Sequence, residues 1–293
     1  MDQSNFGLMS RRAFTAGMGL AASARLAEPS AGQGAGKKVK TIDCHAHLSG
    51  QRSPHWMERD RQLIDAADRL EIDQLCCSTL GPVRLGHPED FRQYNDWTAE
   101  AIKRFPGRIL GWCFVNPGYV KEAHDEISRC VEKLGFVGVK LYNDYVATEP
   151  VLWPLVEQVI DLRVPILHHA GHSFSLNVSQ PRISDGGTFA ELAKRYPEAM
   201  IICAHIAGGG DWEWTIKALR NAPSVSLDTS GSVMDEGIVE MAVQTLGADR
   251  ILFACDMSMT ASVGRIRSVD LNDVDRAKIL GGNFQQLLAR RRA

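Results

Sequence analysis

Asp43-Cys44-His45-Ala46-His47 closes the first convincing β-strand, 39–45, and the rest of the chain is organised around it. In a strand, residues i and i+2 point to one face, so the imidazoles of His45 and His47 project side by side. Two neutral imidazoles held that way supply half of a metal site. The alternative is a hydrogen-bonded strand end with one histidine turned to solvent. Asp43 has the parity of His45 and lies about 7 Å deeper at strand rise. That places it behind or beneath any ligand set, and the remaining ligands must come from elsewhere.

Strand-like and helix-like stretches alternate outward from this segment. Short apolar runs at 72–78, 108–115, 136–142, 165–169, 200–205, 225–228 and 250–255 read as buried strands. Helical spacing follows them at 57–70, 89–105, 120–134, 151–162, 188–196, 212–221 and 235–246, and a last helix is expected over 271–290. Parallel strands need crossover helices and eight of them close a sheet, so the pattern predicts an α/β chain folded as a (β/α)8 TIM barrel. An open doubly wound sheet is the rival, but it would carry a Gly-rich phosphate loop after its first strand, where His45-Ala46-His47-Leu48 stands. The longest connection, 170–187, follows strand five and should overhang the mouth where barrel active sites lie.

A chain of 293 residues with 44% apolar and 23% charged residues has the composition of one large globular domain. Lys+Arg at 33 nearly balance Asp+Glu at 35, and no basic run suggests nucleic acid. A small-molecule substrate is therefore expected. Residues 1–36 differ in kind. Ser10-Arg11-Arg12-Ala13-Phe14, a modest apolar run and small residues at 23–27 resemble a twin-arginine export leader with a disordered linker, leaving 37–293 as the barrel domain. That predicts export to the periplasm, with a cytoplasmic protein as the alternative. The run is too short, and too interrupted by Arg25, to span a membrane. Seven cysteines in apolar runs, with no C-x-x-C pair, read as reduced core residues.

Functional side chains collect where a barrel needs them. Strand one ends in His45 and His47, strand four in Lys140, strand five in His168-His169, strand six in His205 and strand eight in Asp256. His172 lies just beyond strand five, so six of the nine histidines sit at or near strand ends. Core histidines scattered at random would show no such register.

The motifs Ile42-Asp43-Cys44-His45-Ala46-His47, Pro165-Ile166-Leu167-His168-His169-Ala170-Gly171, Ala204-His205-Ile206-Ala207-Gly208-Gly209 and Ile251-Leu252-Phe253-Ala254-Cys255-Asp256 resemble those of the amidohydrolase superfamily. The similar branch is the amidohydrolase-2, metal-dependent hydrolase group, which includes lactonases and aminocarboxymuconate-semialdehyde-type decarboxylases. The resemblance runs from about 39 to 288 and ends in Gly282-Asn283-Phe284, where the family shows a Gly-Asn-Ala-like signature. It implies one divalent metal, usually zinc, held by His45, His47, His169 and Asp256, a donor set that suits Zn²⁺. Asp256 is then also a candidate general base for metal-activated water. His169 is preferred over His168 because it matches the family position, and adjacent strand residues face opposite ways.

His205 is expected to polarise a substrate carbonyl or shuttle a proton, with a third histidine ligand as its alternative. Lys140 is expected to bind substrate oxygen or sit in a salt bridge, with a carbamylated bridge between two metals as a rarer arrangement. Arg84, His87, His172 and Arg182 are loop candidates for a substrate carboxylate. Trp56, Trp212 and Trp214 either line the pocket or pack helices. Ala254-Cys255 replaces the commoner Gly-Ser before the aspartate, and Ala207 stands where Gly is usual. The first expectation is a metal-dependent hydrolase of a lactone, amide or ester; the alternatives are a non-oxidative decarboxylase of an unsaturated or aromatic acid and an inactive binding barrel. The resemblance also makes a homodimer common, although no interface is defined by these residues.

Overall fold

A computed structural model describes residues 39–50, 54–79, 86–171, 183–206, 212–233 and 235–292. The expected export leader lies outside the described residues, as do Arg84, His172 and Arg182. None of the described helices is long and apolar enough to cross a membrane.

Eight parallel strands stand in chain order: β1 Ile42–Leu48, β2 Gln74–Thr79, β3 Ile109–Phe114, β4 Gly138–Leu141, β5 Ile166–His168, β6 Ile201–Cys203, β7 Val225–Asp228 and β8 Ile251–Leu252. The residues after β8 return to β1: Cys44 N donates to the Phe253 carbonyl (3.0 Å), Asp256 N to the His45 carbonyl (2.6 Å), and Ala46 bridges Asp256. The sheet is thereby a nearly closed (β/α)8 barrel, as the alternation of elements predicts. Its connections carry α1 Trp56–Arg69, α2 Pro88–Arg104, α3 Val120–Ser128, α4 Trp153–Asp161, α5 Gly186–Arg195, α6 Trp212–Ala218 and α7 Ile238–Leu246.

After β8 the structure departs from the expected single helix. A helix not anticipated from the sequence, α8 Met259–Ser268, comes first, then α9 Asp273–Ala277, a π-turn Lys278–Gly282 and α10 Asn283–Ala289. Thr260, Ser262 and Gly264 interrupt the apolar spacing of α8, which hides it from a periodicity reading. The π-turn has a definite task. It presents the Ile279 carbonyl to Phe253 N at the end of β8 (2.9 Å). A Cβ on Gly281 would overlap the Lys40 carbonyl oxygen, so only glycine lets this turn close on the start of β1. Asn283 then ties α10 to the foot of β8, donating through Nδ2 to the carbonyls of Ala248 (2.7 Å) and Ile251 (2.8 Å). That is the physical content of the Gly-Asn-Phe signature.

Two apolar cores lie back to back. The larger holds residues such as Ala46, Leu75, Val139 and Ile166 with the helices around them. The smaller gathers Ile42, Cys76, Trp112, Leu167, Ile202 and Leu252, one from each of six strands, together with Phe284 of α10. Side chains from strands all around a barrel can meet only along its axis, so this cluster is the interior floor and α10 is its plug. All seven cysteines are buried and none forms a disulfide among the described residues, in keeping with the core role read from the sequence.

β1 breaks simple alternation. Its pairing with β2 shifts register between Asp43 and Ala46. Cys44 packs in the floor cluster while Ala46 packs in the outer one, so the face presented by even-numbered residues reverses between them. His45 and His47 consequently both look into the barrel. Asp43 belongs to the opposite face from Cys44, which corrects the expectation that it points the same way as His45. Its Oδ1 instead accepts from His45 N (3.0 Å) and Cys255 N (2.9 Å), fastening β1 to the closing segment. Burial pushes the Asp43 carboxyl up to about 7, against the pull of those two backbone amides.

Candidate active site

The mouth is built from side chains one layer above the floor. Nδ1 of His47 meets Ser78 Oγ at 3.0 Å and the Ser78 carbonyl at 3.4 Å. A carbonyl can only accept, so that nitrogen is the donor and Nε2 carries the lone pair. Nε2 of His47 nevertheless stands 3.0 Å from Asp256 Oδ1, and Nε2 of His45 stands 3.8 Å from the same oxygen. Acceptors that face each other at this range are reconciled by a shared cation, either a proton or a metal ion.

The residues also pass a second test for a metal. The Nε2 atoms of His45 and His169 are buried with no hydrogen-bond partner among the described residues, which is costly unless something binds them. Donor atoms of His45, His47 and Asp256 all lie within 4.8 Å of one another, as do those of His45, His205 and Asp228. The second group is a hydrogen-bonded one, since His45 Nδ1 donates to Asp228 Oδ2 at 2.9 Å. His169 is one ring removed: its Nδ1 meets His205 Nε2 at 3.0 Å, and Tyr142 stacks on it at 4.3 Å.

Backbone geometry aims two of these groups. Ala204 faces the floor, so plain alternation would turn His205 outward. A left-handed backbone at His205 (φ 67°) brings the ring back inside, and Asp256 shares that conformation (φ 53°). Non-glycine residues held there are uncommon and cluster at functional sites. His168 faces the other way, edge-on to Phe189 of α5 at 5.3 Å, with Nδ1 donating to the His169 carbonyl at 2.8 Å. Lys140 is fully buried and points inward from β4, with Nζ 5.8 Å from the Tyr142 ring.

Burial dominates the electrostatics. It holds His45, His47, His169 and His205 below the usual histidine range, His205 at about 4, and the Lys140 charge adds to the effect at each. These rings are therefore neutral ligands near pH 7. Burial works against the carboxylates of Asp228 and Asp256, but the histidines around them hold both well below the ordinary range.

Outside the mouth, the weaker candidates among the described residues have structural places. His87 caps α2 and its Nδ1 meets the Tyr119 hydroxyl at 2.8 Å. Trp56 lies under the Arg104 guanidinium at 4.4 Å, Trp212 donates to Asp235 at 2.9 Å, and Trp214 is exposed. Asp228 was not among the expected site residues, nor were Ser78, Tyr142 and Ser230. The signal for Asp228 was present: β7 ends in it, and a carboxylate at a barrel strand's C-terminal end is a functional position.

Residues 42–289 match the Amidohydrolase family. The chain belongs to that family. It is 27% identical over 257 residues to a γ-resorcylate decarboxylase of a Polaromonas species, covering 68% of this chain and 76% of the relative. In fold it resembles a dihydroxybenzoic acid decarboxylase of Polaromonas with bound manganese and 2-nitroresorcinol, at TM-score 0.68 and 21% identity, over 87% of this chain and 98% of the other. It also resembles 5-carboxyvanillate decarboxylase of Sphingomonas paucimobilis, at TM-score 0.69 and 16% identity, over 86% and 99%. These relatives overturn the expectation of a hydrolase acting on a lactone, amide or ester. They favour carbon–carbon cleavage, which the shared ligand set alone cannot distinguish from hydrolysis.

Proposed function

We propose that the chain is a metal-dependent, non-oxidative decarboxylase of a hydroxylated aromatic acid. One observation carries the site: His45, His47 and Asp256 bring their donor atoms together beside the buried Lys140 ammonium, and the buried Nε2 atoms of His45 and His169 have no hydrogen-bond partner among the described residues. The relatives supply the reaction class, since their substrates are dihydroxybenzoates and a carboxyvanillate.

His45, His47, His169 and Asp256 would hold a divalent ion. Three imidazoles and a carboxylate accept Zn²⁺ or Mn²⁺, and manganese is the ion in the Polaromonas structure. When bound, the ion supplies a fixed positive charge that anchors and polarises the oxygens of the acid. Lys140 offers a second charge for the substrate carboxylate in a pocket where water competes poorly.

Asp256, one quarter exposed, is the proton carrier at the open side of the site. It takes the proton of the ring hydroxyl and delivers it to the ring carbon that bears the carboxylate. The bond from that carbon to the carboxylate then breaks, its electron pair returns to the ring, and CO₂ leaves. The neutral His205 borders the same space, its Nδ1 4.0 Å from Asp256 Oδ2.

The test is a panel of hydroxylated benzoic acids and simple lactones offered to Mn²⁺-loaded protein, with CO₂ and the aromatic product both quantified. Equimolar CO₂ and phenol from an acid with a hydroxyl next to its carboxylate is the expected result. Lactone opening without CO₂ release from any acid would overturn the proposal.

A further inference from the structure

Asp228 stands behind the proposed ligand set, at the end of β7, and among the described residues its polar contacts are with His45, His205 and Ser230. Its Oδ2 accepts from His45 Nδ1 at 2.9 Å. Its Oδ1 accepts from the backbone N of His205 (2.9 Å), from the backbone N of Ser230 (3.0 Å) and from the Ser230 hydroxyl (2.6 Å). The carboxylate is fully buried and can only accept.

The chemistry of the partners then fixes each proton in turn. Ser230 has one hydroxyl hydrogen, and it goes to Asp228. Its oxygen must therefore accept from His205 Nδ1, 2.8 Å away. His205 with its proton on Nδ1 has a lone pair on Nε2, and that atom accepts from His169 Nδ1 at 3.0 Å. His169 is left with a bare Nε2, one of the two site imidazole nitrogens buried without a partner among the described residues. The other is Nε2 of His45, bared by the direct bond from its Nδ1 to Asp228.

We propose that Asp228 is the positioning residue that sets the tautomers of two metal-ligand histidines, His45 directly and His169 through a relay of Ser230 and His205. A bare Nε2 is the form an imidazole needs in order to bind a metal, and partners behind such ligands typically change metal affinity by about 10–100-fold. The relay also gives His205 a task that does not require it to touch the ion. Two ligands on opposite sides of the barrel answer to one carboxylate.

The inference rests on the proposed ligand set for its meaning but not for its first test. Imidazole ¹⁵N spectra of metal-free wild-type protein, assigned with single-histidine variants, report which ring nitrogen carries each proton. The structure predicts Nδ1–H at His45, His169 and His205. An Nε2–H form at His45 or His169 would overturn the proposal, and the variants are needed only to assign the wild-type signals.

Two substitutions separate the branches. Asp228→Asn keeps an oxygen for the backbone amides but sets an NH₂ against His45, so both His45 and His169 should lose the Nδ1–H pattern. Ser230→Ala breaks only the relay, so His169 should change and His45 should not. Titration with Mn²⁺ alone, followed by electron paramagnetic resonance, should show affinity lower by about 10–100-fold in Asp228→Asn and by a smaller factor in Ser230→Ala. Affinities within twofold of wild type in both would overturn the proposal. Wild-type protein that binds no Mn²⁺ yet shows the predicted tautomers would sink the metal reading and leave the relay standing.

Discussion

The floor and the mouth of the barrel are made by the same eight strands, a few ångströms apart along one axis, yet they obey opposite rules. The floor packs Trp112, Leu167, Ile202 and Phe284 with the π-turn and α10 sealing it from below. The mouth packs histidines, Lys140, Asp228 and Asp256 so that acceptors face one another and two buried imidazole nitrogens lack partners among the described residues. A protein that only had to be stable would not build the second layer, because each buried polar group without a partner costs about 1–3 kcal/mol. The contrast teaches that stability and chemistry are divided by depth: the lower layer contributes apolar burial, and the upper one spends part of it on preorganised charge.

Substitutions should therefore separate the two layers. His47→Ala is expected to lower decarboxylation at least about 10³-fold, roughly 4 kcal/mol in the barrier, while moving the unfolding free energy by less than about 1 kcal/mol. Paired kinetic and denaturant measurements read both numbers, and an equal loss in stability would erase the contrast. Phe284→Ala is the mirror experiment. Emptying the plug should cost about 3–5 kcal/mol in urea unfolding yet leave kcat per folded molecule within a few-fold.

His168 sharpens the boundary from the outside of the strand. Burial, reinforced by the Lys140 charge, pushes its imidazole down to about 4, whereas an unfolded histidine titrates near 6.5. Between those values the unfolded chain binds a proton that the folded chain refuses, so stability falls as the pH drops from 6.5 toward 4, by about 3 kcal/mol in all. Asp43 acts in the opposite sense. Its folded carboxyl keeps a proton up to about 7 that the unfolded one releases near 3.8, so its contribution is lost as the pH rises through that window. Comparing His168→Gln with wild type cancels Asp43, and the variant should lose stability less steeply on acidification; parallel pH profiles would refute this assignment.

Gly281→Ala should cost about 1–3 kcal/mol by pressing a methyl onto the Lys40 carbonyl and opening the π-turn, measured by thermal unfolding. Trp214→Ser, on the exposed side of α6, marks the bottom of the scale, with a change within about 0.5 kcal/mol by the same method.

Much of this division is legible in the amino-acid sequence. The strand–helix alternation gives the barrel, and asking what stands at each strand's end returns His45, His47, Lys140, His169, His205 and Asp256. The inward turn of His205 was not legible, because Ala204 occupies the inward position and only a left-handed backbone restores the ring. Nor was the orientation of Asp43, since a register shift in β1 leaves no residue-type signature there. Helix α8 was hidden by its small polar residues. Asp228 is readable as a carboxylate at a strand's C-terminal end, but its role in orienting histidines leaves no motif of its own. Decarboxylation was the hardest feature to read: the ligand residues serve hydrolysis and carbon–carbon cleavage alike, and specificity lies in how the substrate is held.

The most direct test of the central claim is the fate of the carboxylate carbon and of the proton that replaces it. Mn²⁺-loaded protein given a hydroxylated benzoic acid labelled with ¹³C at the carboxylate, in D₂O, should release one ¹³CO₂ per phenol formed. Each phenol should carry one deuterium at the carbon that bore the carboxylate. A product that retains the label, or a ring-opened or hydrolysed product with no ¹³CO₂, would contradict the account.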